Sequence, residues 1–358
     1  MQRSYSNPRY AFSSVAGHYI VLCFFGSAGN ARGRNTIKEV LARRAVFDDE
    51  RASFFGVSLD PADETEGRVA DSFPGLRFFW DFDGVVSKLY GALPVDAAVN
   101  ARQHTVRRFW LVLDPTLRVI RSFPFEDNGR DILEVFDLLK NLPPPALHAG
   151  IEISAPILIL PRVFEPEFCR DLIGLYEKNG GEESGFMREV EGKTVAIQDH
   201  SFKRRRDYII EDTKLIQRLQ LYMKKKVVPE IRKAHHFTAT RMERYIVSCY
   251  AAEDRAIFKP HRDNTTKGTA HRRFAVSINL NDDFEGGELS FPEFGPRTYK
   301  APIGCAVVFS TPLLHAVGEV TKGRRYAFLP FLYDDEAAKL REANNAFLGD
   351  NVEAYRSS

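Results

Sequence analysis

The stretch Lys259-Pro260-His261-Arg262-Asp263-Asn264 decides how the second half of the chain reads. Successive side chains of an extended strand alternate faces, so His261 and Asp263, two apart, point the same way about one pleat repeat from each other. They can grip one ion together, but two donors leave it under-coordinated. A third donor stands in Thr311-Pro312-Leu313-Leu314-His315, after the apolar, strand-like run Ala306-Val307-Val308-Phe309. Two imidazoles and one carboxylate form the donor set that suits non-haem Fe(II), with coordination positions left open for a bidentate 2-oxo acid and dioxygen. The 2-oxo acid then needs a cation at its far end. Arg325, in Gly323-Arg324-Arg325-Tyr326 at the head of another apolar run, has the planar fork that meets a carboxylate through two parallel hydrogen bonds. Each piece alone has a plainer reading: a chance His-x-Asp, a satisfied core histidine, a solvated turn arginine. Their order and shared strand patterning make them a site.

These residues belong to a longer likeness. The span from Met242 to Asp334 resembles the Fe(II)/2-oxoglutarate-dependent dioxygenases of the prolyl 4-hydroxylase type. The phrases that carry it are Arg244-Tyr245-Ile246-Val247-Ser248-Cys249-Tyr250, Phe274-Ala275-Val276-Ser277-Ile278-Asn279-Leu280-Asn281-Asp282, Glu285-Gly286-Gly287-Glu288-Leu289-Ser290-Phe291-Pro292, and His315 followed by Val320-Thr321-Lys322-Gly323-Arg324-Arg325-Tyr326. The resemblance implies that His261, Asp263 and His315 hold the metal and form the catalytic centre. It implies that Arg325, directly ahead of an aromatic residue, anchors 2-oxoglutarate in preference to Arg324. Tyr250 is the expected hydroxyl on the co-substrate tail, with Tyr245 as the alternative; a buried structural tyrosine is the plainer reading of either. Asn264 could orient the carboxylate ligand by hydrogen bonding, and Arg262 and Arg273 stand either at the substrate opening or on solvated surface. The implied reaction is oxidative decarboxylation of 2-oxoglutarate to succinate and carbon dioxide, coupled to hydroxylation of an unactivated C–H bond. The cofactors so implied are Fe(II) and 2-oxoglutarate, with ascorbate as a candidate reductant. The substrate would be a prolyl residue, a peptide or protein, or a small amino-acid-like molecule. An aspartate at 263 argues against halogenation, which needs that place vacated for a halide.

Composition sets the frame. The chain has 358 residues, enough for two domains that each bury a core. A net charge of +2 gives no global field for nucleic acid or membrane. The basic runs Lys203-Arg204-Arg205-Arg206, Lys224-Lys225-Lys226 and His271-Arg272-Arg273 read as solvated faces. Cys23, Cys169, Cys249 and Cys305 are scattered through apolar surroundings without a Cys-x-x-Cys pair, as buried thiols in a reducing compartment would be. The apolar run from Tyr19 to Phe25 is too short to span a bilayer. The expectation is a cytoplasmic protein, with a homodimer as a candidate assembly.

In chain order, residues 1 to about 15 read as a disordered or loosely docked lead-in. Tyr19-Ile20-Val21-Leu22-Cys23-Phe24-Phe25 is a strand buried on both faces, followed by a helix from about Asn35 to Phe47 and a strand Ser53 to Leu59. This alternation argues an α/β fold. The half from 16 to 142 resembles the thioredoxin-like fold and, within it, the peroxiredoxins, through Gly56-Val57-Ser58-Leu59-Asp60, Phe82-Asp83-Gly84-Val85-Val86-Ser87-Lys88-Leu89-Tyr90-Gly91 and Arg107-Arg108-Phe109-Trp110-Leu111-Val112-Leu113-Asp114-Pro115. Redoxin chemistry needs a low-pKa thiolate on the loop after the first central strand. That loop, Gly26-Ser27-Ala28-Gly29-Asn30-Ala31-Arg32-Gly33-Arg34, has no cysteine, and Cys23 lies inside the strand, where an apolar setting raises a thiol pKa. Arg108 then reads as a leftover, and the domain as a scaffold without redox activity.

A helix from about Gly129 to Asn141 closes that domain, and 143–152, with Pro143-Pro144-Pro145, is a stiff linker. A second domain, 153–335, opens with Ile157-Leu158-Ile159-Leu160 and a helix after Pro166. A long helix runs from Lys214 to Ala234, kinked or split by Pro229. From Arg241 onward short strands alternate with turns, among them a hairpin at Gly286-Gly287, which suggests a double-stranded β-helix (jelly roll) with flanking helices. Residues 336–358 form a C-terminal helix and tail. Two other readings compete: a thiol-dependent redox protein relying on Cys23, and a non-catalytic binding module.

Overall fold

All eight residues from Tyr19 to Gly26 are buried, as an unbroken apolar run requires when both faces of its sheet are covered. The computed structural model describes residues 3–5, 10–96 and 106–355. They divide into two compact units: Met1–Ser154 with Pro292–Pro296, and Ala155–Phe291 with Arg297–Ser358.

Unit 1 runs β1 (Tyr19–Gly26), α1 (Ala31–Ala42), β2 (Ala52–Ser58), α2 (Pro61–Thr65), β3 (Leu76–Trp80), α3 (Val85–Leu89), β4 (Phe109–Leu113), β5 (Val119–Pro124) and α4 (Arg130–Asn141). The sheet order is β3-β2-β1-β4-β5. β1, β2 and β3 are parallel neighbours, whereas β4 and β5 run antiparallel. α1 begins at Ala31, not Asn35, because the Asn30 side chain accepts the Gly33 N–H at 2.8 Å and caps the helix. Its polar first turn hides that start from an apolar-spacing argument. The lead-in expected to be loose is partly packed: the Tyr10 and Phe12 rings meet Phe55 and Phe79 at centroid distances between 5.4 and 6.0 Å, edge-on. Such aromatic pairs add about 0.5–1.5 kcal/mol beyond burial.

Unit 2 opens with β6 (Leu158–Leu160), α5 (Pro166–Asn179), β7 (Glu182–Glu183), the hairpin β8 (Phe186–Val190) and β9 (Lys193–Ile197), β10 (Lys203–Arg204) and β11 (Arg206–Ile209). Next come α6 (Thr213–Tyr222) and α7 (Val228–His235), joined by a π-helical turn at Met223–Val227. The long helix is thus interrupted by a π-helical turn, directly before Pro229 in α7, with helical backbone on both sides. The remaining strands are β12 (Arg241–Glu243), β13 (Ile246–Ala251), β14 (Ile257–His261), β15 (Phe274–Asn279), β16 (Glu285–Gly286), β17 (Leu289–Ser290), β18 (Thr298–Tyr299), β19 (Ala306–Ser310), β20 (His315–Val317), β21 (Val320–Lys322), β22 (Arg324–Phe328) and β23 (Phe331–Tyr333), before α8 (Asp335–Ala343).

These strands make a major sheet, β12-β23-β15-β22-β13-β11-β7 with β19 on β15 and β6 on β19, and a minor sheet, β10-β14-β20-β17-β18. Two such antiparallel sheets are consistent with a jelly roll. The hairpin expected at Gly286-Gly287 does not form. β16 pairs with β21, while β17 enters the minor sheet between β18 and β20. Both glycines have positive φ, and a Cβ on Gly286 would lie 2.1 Å from the Glu319 carbonyl oxygen. The pair makes a crossing between sheets that only glycine fits.

The period of two sorts the major sheet. Val247, Cys249, Val276, Ile278 and Phe328 pack with Phe168 and Leu172 of α5, Leu219 of α6 and Ile231 of α7. Their alternates Ser248, Tyr250, Ser277, Asn279 and Arg325 are equally buried but polar, and turn to the other face. A buried polar face is a place for chemistry. Among the described residues no helix is long and apolar enough to cross a membrane.

Candidate functional site: a two-histidine, one-carboxylate cluster and a buried cation row

β14 and β20 are antiparallel neighbours in the minor sheet, and their register pairs His261 with His315. The two rings lie 4.2 Å apart. Asp263 follows the end of β14 and brings its carboxylate to 3.6 Å from His261 Nε2 and 3.3 Å from His315 Nε2. The donor atoms of all three lie within 4.8 Å of one another, so the cluster could hold one metal ion.

Hydrogen bonding fixes which atoms face the cluster. His261 Nδ1 is 2.7 Å from the Lys259 carbonyl and His315 Nδ1 is 3.0 Å from the Leu313 carbonyl. A carbonyl only accepts, so each Nδ1 carries the proton and each Nε2 is left with its lone pair toward Asp263. Burial and the neighbouring His315 push the His261 pKa down to about 3. Burial alone would raise Asp263, but the imidazoles and Arg272 hold it well below the usual carboxylate range. Two imidazole Nε2 atoms and a carboxylate oxygen turned toward one another suit a divalent cation.

The backbone of Asp263 is tied down as well. Its N–H donates to the Thr311 carbonyl at 3.1 Å, and its own carbonyl accepts from Arg272 Nη1 at 3.3 Å. Arg272 Nε in turn donates to Glu243 at 2.7 Å. The run His271-Arg272-Arg273 is therefore not a solvated face: His271 is 1% and Arg272 9% exposed.

A second polar row crosses the inner face of the major sheet on neighbouring strands. Arg325 on β22 is register-paired with Tyr250 on β13, and its guanidinium carbon lies 5.3 Å from the Tyr250 ring centre. Arg325 donates to Ser277 Oγ at 2.9 Å and Asn279 Oδ1 at 3.1 Å. Its Nη1 is buried without a hydrogen-bond partner. Burial lowers the Arg325 pKa, the nearby Arg205 charge adding to that fall. Tyr245 is elsewhere: its hydroxyl accepts from Gln220 of α6 at 2.7 Å, on the helix-covered face. Asn264 makes no hydrogen bond to the Asp263 carboxylate among the described residues. Arg262 donates to the Pro312 carbonyl and Arg273 to that of Ala270.

Sequence reasoning missed the cations of the run Lys203-Arg204-Arg205-Arg206, read as solvated. Lys203 is 3% and Arg205 7% exposed. Lys203 Nζ donates to Ser184 Oγ and to the Gly185 carbonyl and lies 5.1 Å from the centre of the Phe258 ring, which stacks on His261. The signal was in the spacing. Lys203, Arg205 and Asp207 are buried while Arg204 and Arg206 are not, the period of an extended segment with one face inward.

Comparison with known proteins fits this geometry. Residues 233–333 match the 2OG-Fe(II) oxygenase superfamily, so the C-terminal region carries an oxygenase domain of that class, which implies Fe(II) and 2-oxoglutarate. A PKHD-type hydroxylase of Pseudomonas fluorescens (strain Pf-5) is 37% identical over 91 residues, which cover 23% of this chain and 39% of that protein. A PKHD-type hydroxylase of Synechococcus sp. is 30% identical over 89 residues, covering 23% and 39%. The chain thus spans about two fifths of the length of these curated relatives. The crystal structure of a Pseudomonas putida prolyl-4-hydroxylase aligns at 14% identity with a TM-score of 0.37, over 51% of this chain and 94% of that one.

Proposed function

We propose that this protein is an Fe(II)- and 2-oxoglutarate-dependent dioxygenase that hydroxylates an unactivated C–H bond, releasing succinate and carbon dioxide. The observation that carries the reading is the meeting of His261, Asp263 and His315 donor atoms within 4.8 Å of one another. In this reading His261 Nε2, His315 Nε2 and the Asp263 carboxylate hold Fe(II), and Arg325 and Tyr250 receive the far carboxylate of 2-oxoglutarate. Bound iron would supply dioxygen activation driven by decarboxylation of the 2-oxo acid. The orphaned Arg325 Nη1 supports the anion site, because a buried guanidinium proton without an acceptor costs about 1–3 kcal/mol or more until something accepts it. The substrate is a prolyl residue, a peptide or an amino-acid-like molecule, in keeping with the hydroxylases it resembles.

Unit 1 serves as a thioredoxin-like scaffold for docking or dimerisation, without peroxidase chemistry. Cys23 supports this: it is fully buried inside β1, and burial together with Asp131 pushes its thiol well above the usual range. Four free buried cysteines suit a reducing, cytoplasmic setting. The test is succinate release from 2-oxoglutarate by the Fe(II)-loaded chain under air. Turnover that disappears in His261→Ala supports the assignment, and turnover unchanged in that variant refutes it.

A further inference from the structure

Resting on the proposed co-substrate site, we infer that Arg205 is a positioning residue for the far carboxylate of 2-oxoglutarate, acting through the hydroxyl of Tyr250. The three side chains form one row: Arg325 on β22, its register partner Tyr250 on the adjacent β13, and Arg205 immediately before β11, the next strand over. Arg205 is held by its own network. Its Nη2 donates to Asp207 Oδ2 at 2.6 Å and to Ser184 Oγ at 3.2 Å. Asp207 is fixed in turn by Ser248 Oγ at 2.6 Å and Arg244 Nη2 at 3.1 Å. So anchored, Arg205 Nη1 donates to the Tyr250 hydroxyl oxygen at 3.2 Å.

That bond sets the direction of the phenol. With an oxygen lone pair facing Arg205, the hydroxyl proton must point elsewhere, and among the described residues it has no acceptor. Arg325 Nη1 is a second unspent donor, and Arg205 Nε, on the residue that holds the phenol, is a third. Two unspent donors on register-paired residues suit a single carboxylate.

Charge makes the same argument. Arg205 and Arg325 lie on this buried face and Arg244, partly exposed, at its margin; Asp207 is the carboxylate that Arg205 and Arg244 share. Arg325 spends its hydrogen bonds on neutral Ser277 and Asn279. Glu288 lies within the field of Arg325 but makes no hydrogen bond to it among the described residues. A desolvated cluster with cations in excess is stabilised by an incoming anion. Arg205 therefore orients the hydroxyl that meets the incoming carboxylate.

The test uses the full-length chain loaded with Mn(II), which binds without turning over, and equilibrium dialysis of labelled 2-oxoglutarate and of 2-oxovalerate, which lacks the far carboxylate. Arg205→Met should weaken 2-oxoglutarate binding about ten- to hundredfold, the range for a hydrogen bond to a charged group. Arg205→Lys should recover part of the loss. Mn(II) affinity and 2-oxovalerate binding should stay within about twofold, since no shared partner couples them to Arg205. Because Arg205 acts through the phenol, the double variant Arg205→Met with Tyr250→Phe should bind no worse than Tyr250→Phe alone. Additive losses, equal weakening of both oxo acids, or 2-oxoglutarate binding unchanged in Arg205→Met would each overturn the inference. If Arg205→Met does not fold, Arg205→Lys decides by the same comparison of the two oxo acids. Unchanged 2-oxoglutarate binding in Arg325→Met would instead overturn the proposed function.

Discussion

Arg325 brings a guanidinium into the interior on a side chain 2% exposed, with only neutral acceptors around it. A buried charge is tolerated when a counter-charge completes its shell. Replacing Arg325 by Met should therefore weaken 2-oxoglutarate binding by about a hundredfold or more, without loss of Mn(II) affinity; calorimetric titration with each ligand checks both. At the other end of the chain, Arg77 grips Asp49 through two bonds of 2.6 and 2.8 Å. Burial alone would raise the Asp49 pKa, but the Arg77 fork and the Ser53 hydroxyl outweigh it and hold it at about 2 against 3.8. The folded value lies below the unfolded one, so the pair's stabilisation is present above about pH 4 and disappears as pH falls through about 2. Discounted for partial exposure, it is worth roughly 1–2 kcal/mol. Both tryptophans, Trp80 and Trp110, lie in unit 1, so fluorescence-detected unfolding should show Arg77→Met costing that amount at pH 7 and much less at pH 2.5, about midway through the titration.

Elements place these side chains, and the elements differ in how legible they are. His261 and Asp263 were readable as a pair because their spacing is local, although β14 ends at His261 and Asp263 reaches the cluster from the turn that follows rather than from the same strand. The partnership with His315 follows from β14–β20 register, which no local pattern states; it was read from the order of motifs. Arg205 was lost for the opposite reason. Four consecutive basic residues look solvated, yet their extended backbone turns alternate ones inward. Connections were the least legible, as at Gly286-Gly287, where flanking strands belong to different sheets. Gly304 is a second such point: φ is +70°, and an added Cβ would lie 2.1 Å from the Phe164 carbonyl oxygen. Its own carbonyl accepts from Val163 and Phe164 N–H at 2.8 and 3.0 Å. Gly304→Ala should destabilise unit 2 by about 2–4 kcal/mol, seen as faster hydrogen exchange across β19; unchanged protection there would refute the strain. The hairpin β8–β9 is braced by the C-terminal segment: Gly349 N–H donates to the Thr194 carbonyl at 2.8 Å, Asn351 Nδ2 to that of Ala196 at 2.8 Å and Lys193 Nζ to that of Ala346 at 2.9 Å. Ending the chain at Ala343 should speed tryptic cleavage after Arg188 and Lys193 severalfold, with metal affinity retained. Equal cleavage rates would show that the hairpin stands alone.

At the scale of the whole molecule, two units carry unequal amounts of chemistry. Unit 1 spends its buried charge on structure: Asp131, 1% exposed, accepts the Trp110 indole N–H at 2.8 Å and pairs with Arg32. Its α/β alternation was legible in the apolar runs and helices, although the ring contacts made by Tyr10 and Phe12 were not, since neither lies in a periodic segment. Unit 2 gathers histidine, carboxylate and guanidinium onto the inner sides of two sheets. The most direct test of the account is anaerobic Fe(II) binding to the full chain by equilibrium dialysis, beside His315→Ala and Asp263→Ala. The account predicts a single tightly held ion, with affinity falling by about a hundredfold or more in each variant. Binding of equal strength in the variants, or no binding by the parent chain, would contradict it.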